Sequence, residues 1–227
     1  MFRRHVRRLL CAAAIASSTI SASAACDLAL AFAVDVSGSI DGPDYQTQMA
    51  GLAEALRDPV VANALADRRS RLLLVQWTGA GQQIVSLPWT QVRSVPDVHA
   101  VARRIEGLSR SWSRHPTALG EALMFTAAAF AQVPDCYRRV IDVSGDGVSN
   151  EGRVPGAVRD TLAGQGITVN ALAIEHSGTG RLTRYFRRNV IAGPGASVQT
   201  AIGFGQFSEA MREKLQREIA GDLVLAE

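Results

Sequence analysis

Apolar positions along the chain alternate between two periods. "LALAFAV" (28–34) is an unbroken apolar run, as expected of a strand covered on both faces. "PDYQTQMAGLAEAL" (43–56) opens on Pro and Asp and sets Tyr45, Met49, Leu52 and Leu56 at helical spacing. "PVVANALA" (59–66) predicts a second, short helix. "RLLLVQWT" (71–78) is the next strand, and "GAG" (79–81) turns it into "QQIVSLPW" (82–89), an antiparallel hairpin. Ser94 caps a predicted helix over 94–108 with Val98, Val101, Ala102 and Ile105 inward. Further on, the pattern predicts helices over 117–132, 154–166, 181–190 and 207–220, and strands over 138–145, 167–174 and 196–202.

Strands alternating with helices imply an α/β fold. The central sheet is doubly wound and mostly parallel, with one antiparallel edge strand and helices on both faces. Such sheets bind ligands beyond the carboxyl ends of their strands, where the strand order reverses. "DVSGSID" (35–41) leaves strand one at that edge, and "SGDGVSN" (144–150) leaves strand four there.

The first residues stand apart from this pattern. "MFRRHVRRLL" is basic, "LLCAAAIASSTI" is apolar to small, and "ASA" (22–24) is a small-x-small cleavage site. Residues 1–24 read as a secretory signal peptide, leaving 25–227 as a single domain. The apolar stretch is shorter than the roughly 20 residues a span requires, so no transmembrane segment is expected in the mature chain. Arg7-Arg8 hints at twin-arginine export, which an ordinary basic leader explains equally well. The expected location is periplasmic or secreted. The whole chain carries +3, but the leader holds Arg3, Arg4, Arg7 and Arg8 and no acid, so the mature chain is −1. That balance argues against a nucleic-acid partner.

Three loops at the carboxyl edge then offer oxygen ligands. Asp35, Ser37 and Ser39 lie on the first, Thr117 at a helix start, and Asp146 on the third. Two carboxylates and three hydroxyls, without His or Cys, suit Mg²⁺, and also Mn²⁺ or Ca²⁺, better than zinc. Plainer readings exist. The first loop also reads as a capped turn feeding a helix, and Thr117 as an N-cap. Asp41 and Asp44 read as helix-start carboxylates. "GDGVSNEG" misses the G-x-G-x-x-G spacing, and "VSGDG" is not a nucleophile elbow.

Asp-x-Ser-x-Ser after strand one, a threonine before a central helix and Asp-Gly after strand four resemble the metal-ion-dependent adhesion site of von Willebrand factor type A domains. The resemblance covers roughly residues 27–222 and points to exported bacterial proteins of that kind. It implies that Ser37, Ser39 and Thr117 give hydroxyls, that Asp35 and Asp146 act largely through coordinated water, and that a partner's Asp or Glu completes the ion. Gly145 stands where relatives often carry threonine, and Ser144 is the candidate substitute hydroxyl. Cys26 lies nine residues before Asp35 and Cys136 ten before Asp146. If strands one and four are parallel neighbours, the two cysteines meet at the opposite edge and form a disulfide; otherwise they are free thiols.

The expected function is therefore an exported binding module, not an enzyme, that engages a protein through the ion. Trp112, Arg114 and His115, just before Thr117, form its expected rim, and Gly38 is expected to permit the sharp turn. One rival is a metal-dependent hydrolase, for which only His115 is expected near the ion. Another is a structural or assembly protein whose metal site is vestigial.

Overall fold

The computed structural model describes residues 26–220, so the expected leader lies outside the described residues. Six strands alternate with seven α-helices: β1 (Cys26–Asp35), α1 (Gly42–Arg57), α2 (Pro59–Asp67), β2 (Arg71–Trp77), β3 (Gln83–Gln91), α3 (Val95–Glu106), α4 (Leu119–Ala128), β4 (Cys136–Gly145), α5 (Pro155–Gly164), β5 (Ile167–Glu175), α6 (Arg181–Asn189), β6 (Val198–Ile202) and α7 (Phe207–Leu215). The sheet runs β3-β2-β1-β4-β5-β6. Every neighbouring pair is parallel except β2 with β3, which is the expected edge hairpin. The order reverses between β1 and β4, which puts Asp35 and Asp146 on either side of the switch.

The two faces of β1 explain how the layers close. Leu28, Leu30, Phe32 and Val34 pack into a core with α1, α2, α3 and α7. Ala29, Ala31 and Ala33 face the opposite core with Leu119, Ala122 and Leu123 of α4. Small residues on that face let α4 lie close over the sheet centre. Each fully buried leucine or phenylalanine contributes about 1.5–3 kcal/mol.

At the amino edge, Cys26 and Cys136 are direct register partners of β1 and β4. They form a disulfide with Cα atoms 4.4 Å apart, across a separation of 110 residues. It fits an oxidising compartment. Among the described residues no helix is long and apolar enough to cross a membrane. Reduction is expected to cost about 2–4 kcal/mol of stability. Urea melts with and without reductant check this, and mass spectrometry of non-reduced peptides should show the linked pair.

A charged cluster lies among the buried polar groups of the interior. Asp142, in the middle of β4, contacts Lys214 of α7, and both side chains are fully buried. Lys214 Nζ lies 2.8 Å from Glu218 Oε2, and Glu218 Oε1 accepts from Ser197 Oγ at 3.0 Å. Burial pushes the Asp142 carboxyl up to about 6, against the pull of Lys214. Burial alone would depress the Lys214 ammonium, but Asp142 and Glu218 hold it above the ordinary lysine value. This triad joins the sheet centre to the last helix.

Candidate metal centre

β1 ends at Asp35, whose Oδ1 accepts the N–H of Ser37 at 2.7 Å. This local turn lifts the chain off the sheet and buries both side chains completely. Asp41 then caps α1 by accepting from Asp44 N at 2.8 Å, the expected helix-start role. Ser39 Oγ lies 3.5 Å from Ser37 Oγ and donates to Asp146 Oδ1 at 2.7 Å. Two loops more than 100 residues apart in sequence are thereby joined through hydroxyls. Thr117 is fastened to the Asp146 loop. Its N–H donates to Asn150 Oδ1 at 2.9 Å, and its carbonyl accepts from Asn150 N at 2.9 Å. Its Oγ1 lies 3.9 Å from where a Cβ on Gly147 would stand. The five oxygen-bearing residues thus converge on one edge.

Asp35 is the electrostatic focus. Burial, and then the Asp146 charge, push its carboxyl up to about 7, against the Ser37 hydrogen bonds and the Arg110 guanidinium. Its Oδ2 is buried with no hydrogen-bond partner. A Cβ on Gly145 would lie 3.0 Å from that oxygen. An orphaned carboxylate oxygen beside converging hydroxyls fits a hard divalent cation, which would offset the desolvation of Asp35. Among the described residues there is no cluster of three or more His, Cys, Asp or Glu that could hold a metal. Any ion here would depend on the hydroxyls.

Several expectations change. Thr117 is not the N-cap of α4: the helix starts at Leu119 after Ala118, and Ser149 Oγ accepts the Leu119 N–H at 3.2 Å. With that cap supplied from another loop, the Thr117 side chain has no helix role. Ser144 does not serve Asp35, because its hydroxyl points to the other face and donates to Gln48 Oε1 at 3.1 Å. Gln48 in turn donates to the Asp35 carbonyl at 3.0 Å, which ties α1 to the end of β1. Gly38 is not among the glycines with positive φ. Its missing Cβ instead makes room for the 109–116 loop: a Cβ there would lie 3.2 Å from His115 O and 3.3 Å from Arg114 Cα.

The expected rim divides. Trp112 is half-buried against the core beneath the loop. Arg114 is exposed, with φ at +64°. The His115 ring lies against Gln82, its Nδ1 3.1 Å from Gln82 Nε2. The histidine that reaches Asp146 is His176, past the end of β5, with Nε2 3.2 Å from Asp146 Oδ2. The expectation that only His115 approaches this edge is therefore wrong. The signal for His176 lay in its position: a residue just beyond a third parallel strand belongs to the same edge. Arg110, also missed, donates to the Val36 and Ser37 carbonyls, both at 2.9 Å, and fixes the backbone of the first ligand loop.

A six-stranded sheet of this order, with these loops at its switch point, is a von Willebrand factor type A-like fold. More particularly, the chain belongs to the family described as "Protein of unknown function (DUF1194)", whose family model matches residues 25–223. No curated protein matches it. Among solved structures it is similar to proximal thread matrix protein 1 from the mussel byssus, at 19% identity and TM-score 0.65, over 84% of this chain and 47% of that one. A form of that protein described as having a zinc-occupied MIDAS motif matches at 18% identity and TM-score 0.60, over 86% and 46%. The von Willebrand factor type A protein of Catenulispora acidiphila matches at 17% identity and TM-score 0.61, over 85% and 43%. BatB from Bacteroides thetaiotaomicron matches at 18% identity and TM-score 0.56, over 86% and 98%. The chain thus spans less than half of the mussel and Catenulispora proteins but nearly all of BatB. These likenesses establish the fold.

Proposed function

We propose that the chain is an exported, non-enzymatic binding module that engages an acidic group on a protein partner through a divalent cation, with Mg²⁺ favoured over Mn²⁺ or Ca²⁺. The observation that carries this reading is the orphaned, fully buried oxygen of Asp35 beside the Ser37–Ser39–Asp146 contacts. Asp35, Ser37, Ser39, Thr117 and Asp146 would hold the ion. With two carboxylates and three neutral hydroxyls around it, the ion would stay electrophilic toward a partner's Asp or Glu. Exposed Arg114 would face that partner beside the ion. The zinc-occupied motif of the mussel protein and the disulfide support the metal and the export respectively.

Calorimetric titration of the purified domain with Mg²⁺ or Mn²⁺ is expected to give one site, weakened at least about tenfold by Asp146→Ala, a loss of about 1.4 kcal/mol or more. Absence of a saturable site, or equal affinity in the variant, would remove the metal from the reading. Affinity capture from the native envelope should recover a partner in Mg²⁺ and lose it in chelator.

A hydrolase reading has one observation in its favour, His176 within hydrogen-bond reach of Asp146. It requires metal-dependent turnover that His176→Ala abolishes. Unchanged metal and partner binding in that variant, with no turnover in either protein, would dismiss it.

A further inference from the structure

The amino edge of the sheet, opposite Asp35 and Asp146, carries chemistry the binding reading does not use. A cavity of about 690 Å³ opens there, lined by Arg68, Tyr137, Arg138, Arg139 and Thr168 among others. A second one of about 220 Å³ shares Arg138 and Thr168 with it and adds Arg217. Arg68 and Arg139 thus line the first cavity, and Arg217 lines the second beside Glu218.

Arg68 is the decisive residue. Its Nε and Nη2 are buried and have no hydrogen-bond partner. Burying guanidinium N–H groups without an acceptor is costly, so the position asks for an anion. Among the described residues, three acids near this edge have donors of their own, and one of them, Glu218, also lines the second cavity. Asp27 lies 3.4 Å from Arg69, Asp135 takes Arg71 through two bonds of 2.7 Å, and Glu218 holds Lys214 at 2.8 Å. Arg139 commits one N–H to the Gln165 carbonyl at 2.8 Å while lining the same wall. Beside the cavity, the Tyr137 side chain is almost free, the residue being 89% exposed. That leaves an aromatic face next to a cationic recess.

We propose that this edge is a binding site for a phosphate-bearing ligand. The Arg68 and Arg139 guanidiniums and the Thr168 hydroxyl meet the phosphate, and Tyr137 lies against the group that carries it. A tetrahedral dianion suits donors approaching from separate strands and a helix end. A guanidinium's fixed fork can give two parallel bonds to such an oxyanion.

The test uses the disulfide-bonded chain in chelator, so that phosphate bound at a metal does not contribute. Inorganic phosphate, followed by calorimetry, is expected to bind saturably and to raise the melting temperature with concentration. Arg68→Gln should weaken binding about tenfold or more and leave the phosphate-free melting temperature equal to or above wild type, because it removes two buried guanidinium N–H groups that have no acceptor. Arg139→Gln should also weaken binding. Sedimentation with phosphatidylglycerol vesicles, compared with phosphatidylcholine vesicles, identifies the source. Arg68-dependent association with the former assigns the phosphate to a lipid headgroup. Binding of inorganic phosphate without vesicle association assigns it to a soluble ester. The proposal is overturned if phosphate does not bind saturably, or if both variants bind it as wild type does. It is equally overturned if Arg68→Gln lowers the phosphate-free melting temperature while the phosphate response persists, since Arg68 would then be purely structural.

Discussion

Lys214→Ala is expected to lower the stability of the domain by about 3–5 kcal/mol, the usual cost of leaving one partner of a buried ion pair uncompensated. Asp142 and Lys214 are both fully buried, and the contact spans from the centre of β4 to α7. Without the ammonium, Asp142 keeps only its burial and the repulsion of Glu218, both of which raise its pKa. The sign with pH follows. The folded carboxyl already titrates near 6 and the unfolded one near 3.8, so the folded state holds the extra proton between those values. Its contribution to stability falls as pH rises through that window. Removing Lys214 moves the folded value higher and widens the window upward. The variant should therefore lose more at pH 8 than at pH 5.

Urea melts at the two pH values measure this directly. Losses that are equal at pH 5 and pH 8, or below about 1 kcal/mol, would mean that the pair is relaxed by water and does not anchor the helix. The double variant Lys214→Met with Asp142→Leu should recover most of the loss, because well-packed apolar replacements for a buried pair are often neutral or better. Recovery would identify the charge, not the volume of Lys214, as the source of the single-variant defect.

The triad also marks where sequence reading stopped. The 138–145 strand was legible from "RRVIDVSG", yet the aspartate at its centre needed a cation that no local pattern names, since Lys214 is 72 positions away. The fold itself was legible because its signals are local. Apolar runs four to eight residues long, Ser94 before α3 and Pro43 in the first turn of α1 each act within one element. The disulfide was legible because two equal-length strands ending on the same edge must also begin on the same edge.

The candidate site was legible in its residue types and not in its supports. Asp35, Ser37 and Ser39 follow one another, and the motif declares them. Arg110, Gln48 and His176 reach the site from three other elements, and each does so through a contact that only the assembled sheet creates. Thr117 shows the opposite error. Threonine ahead of a helix is a good cap by local rules, but Ser149 from a different loop occupies that role. Local propensity was overridden by a tertiary hydrogen bond.

Asp35→Asn is expected to stabilise the metal-free domain at pH 8 and to abolish its response to Mg²⁺. The folded carboxyl is raised from 3.8 to about 7, first by burial and then by Asp146. The folded state thus favours the protonated form, and metal-free stability should fall as pH rises from about 4 to 7. Each unit of that shift corresponds to about 1.4 kcal/mol, so the ionised carboxylate costs the metal-free fold a few kcal/mol at pH 8. Asparagine removes the charge and keeps an oxygen to accept the Ser37 N–H, the contact that shapes the turn. In wild type, Mg²⁺ would restore stability by binding the ionised form, so its effect should be large at pH 8 and small at pH 5, with proton uptake by buffer detectable near pH 6.5. In Asp35→Asn, both the pH slope over 4–7 and the Mg²⁺ shift should shrink together. Thermal melts in chelator and in excess Mg²⁺ at pH 5, 6.5 and 8 separate the outcomes. A variant less stable than wild type in chelator at pH 8 would show that Asp35 is held by the fold without strain. A variant that still responds to Mg²⁺ as wild type does would place the ion elsewhere.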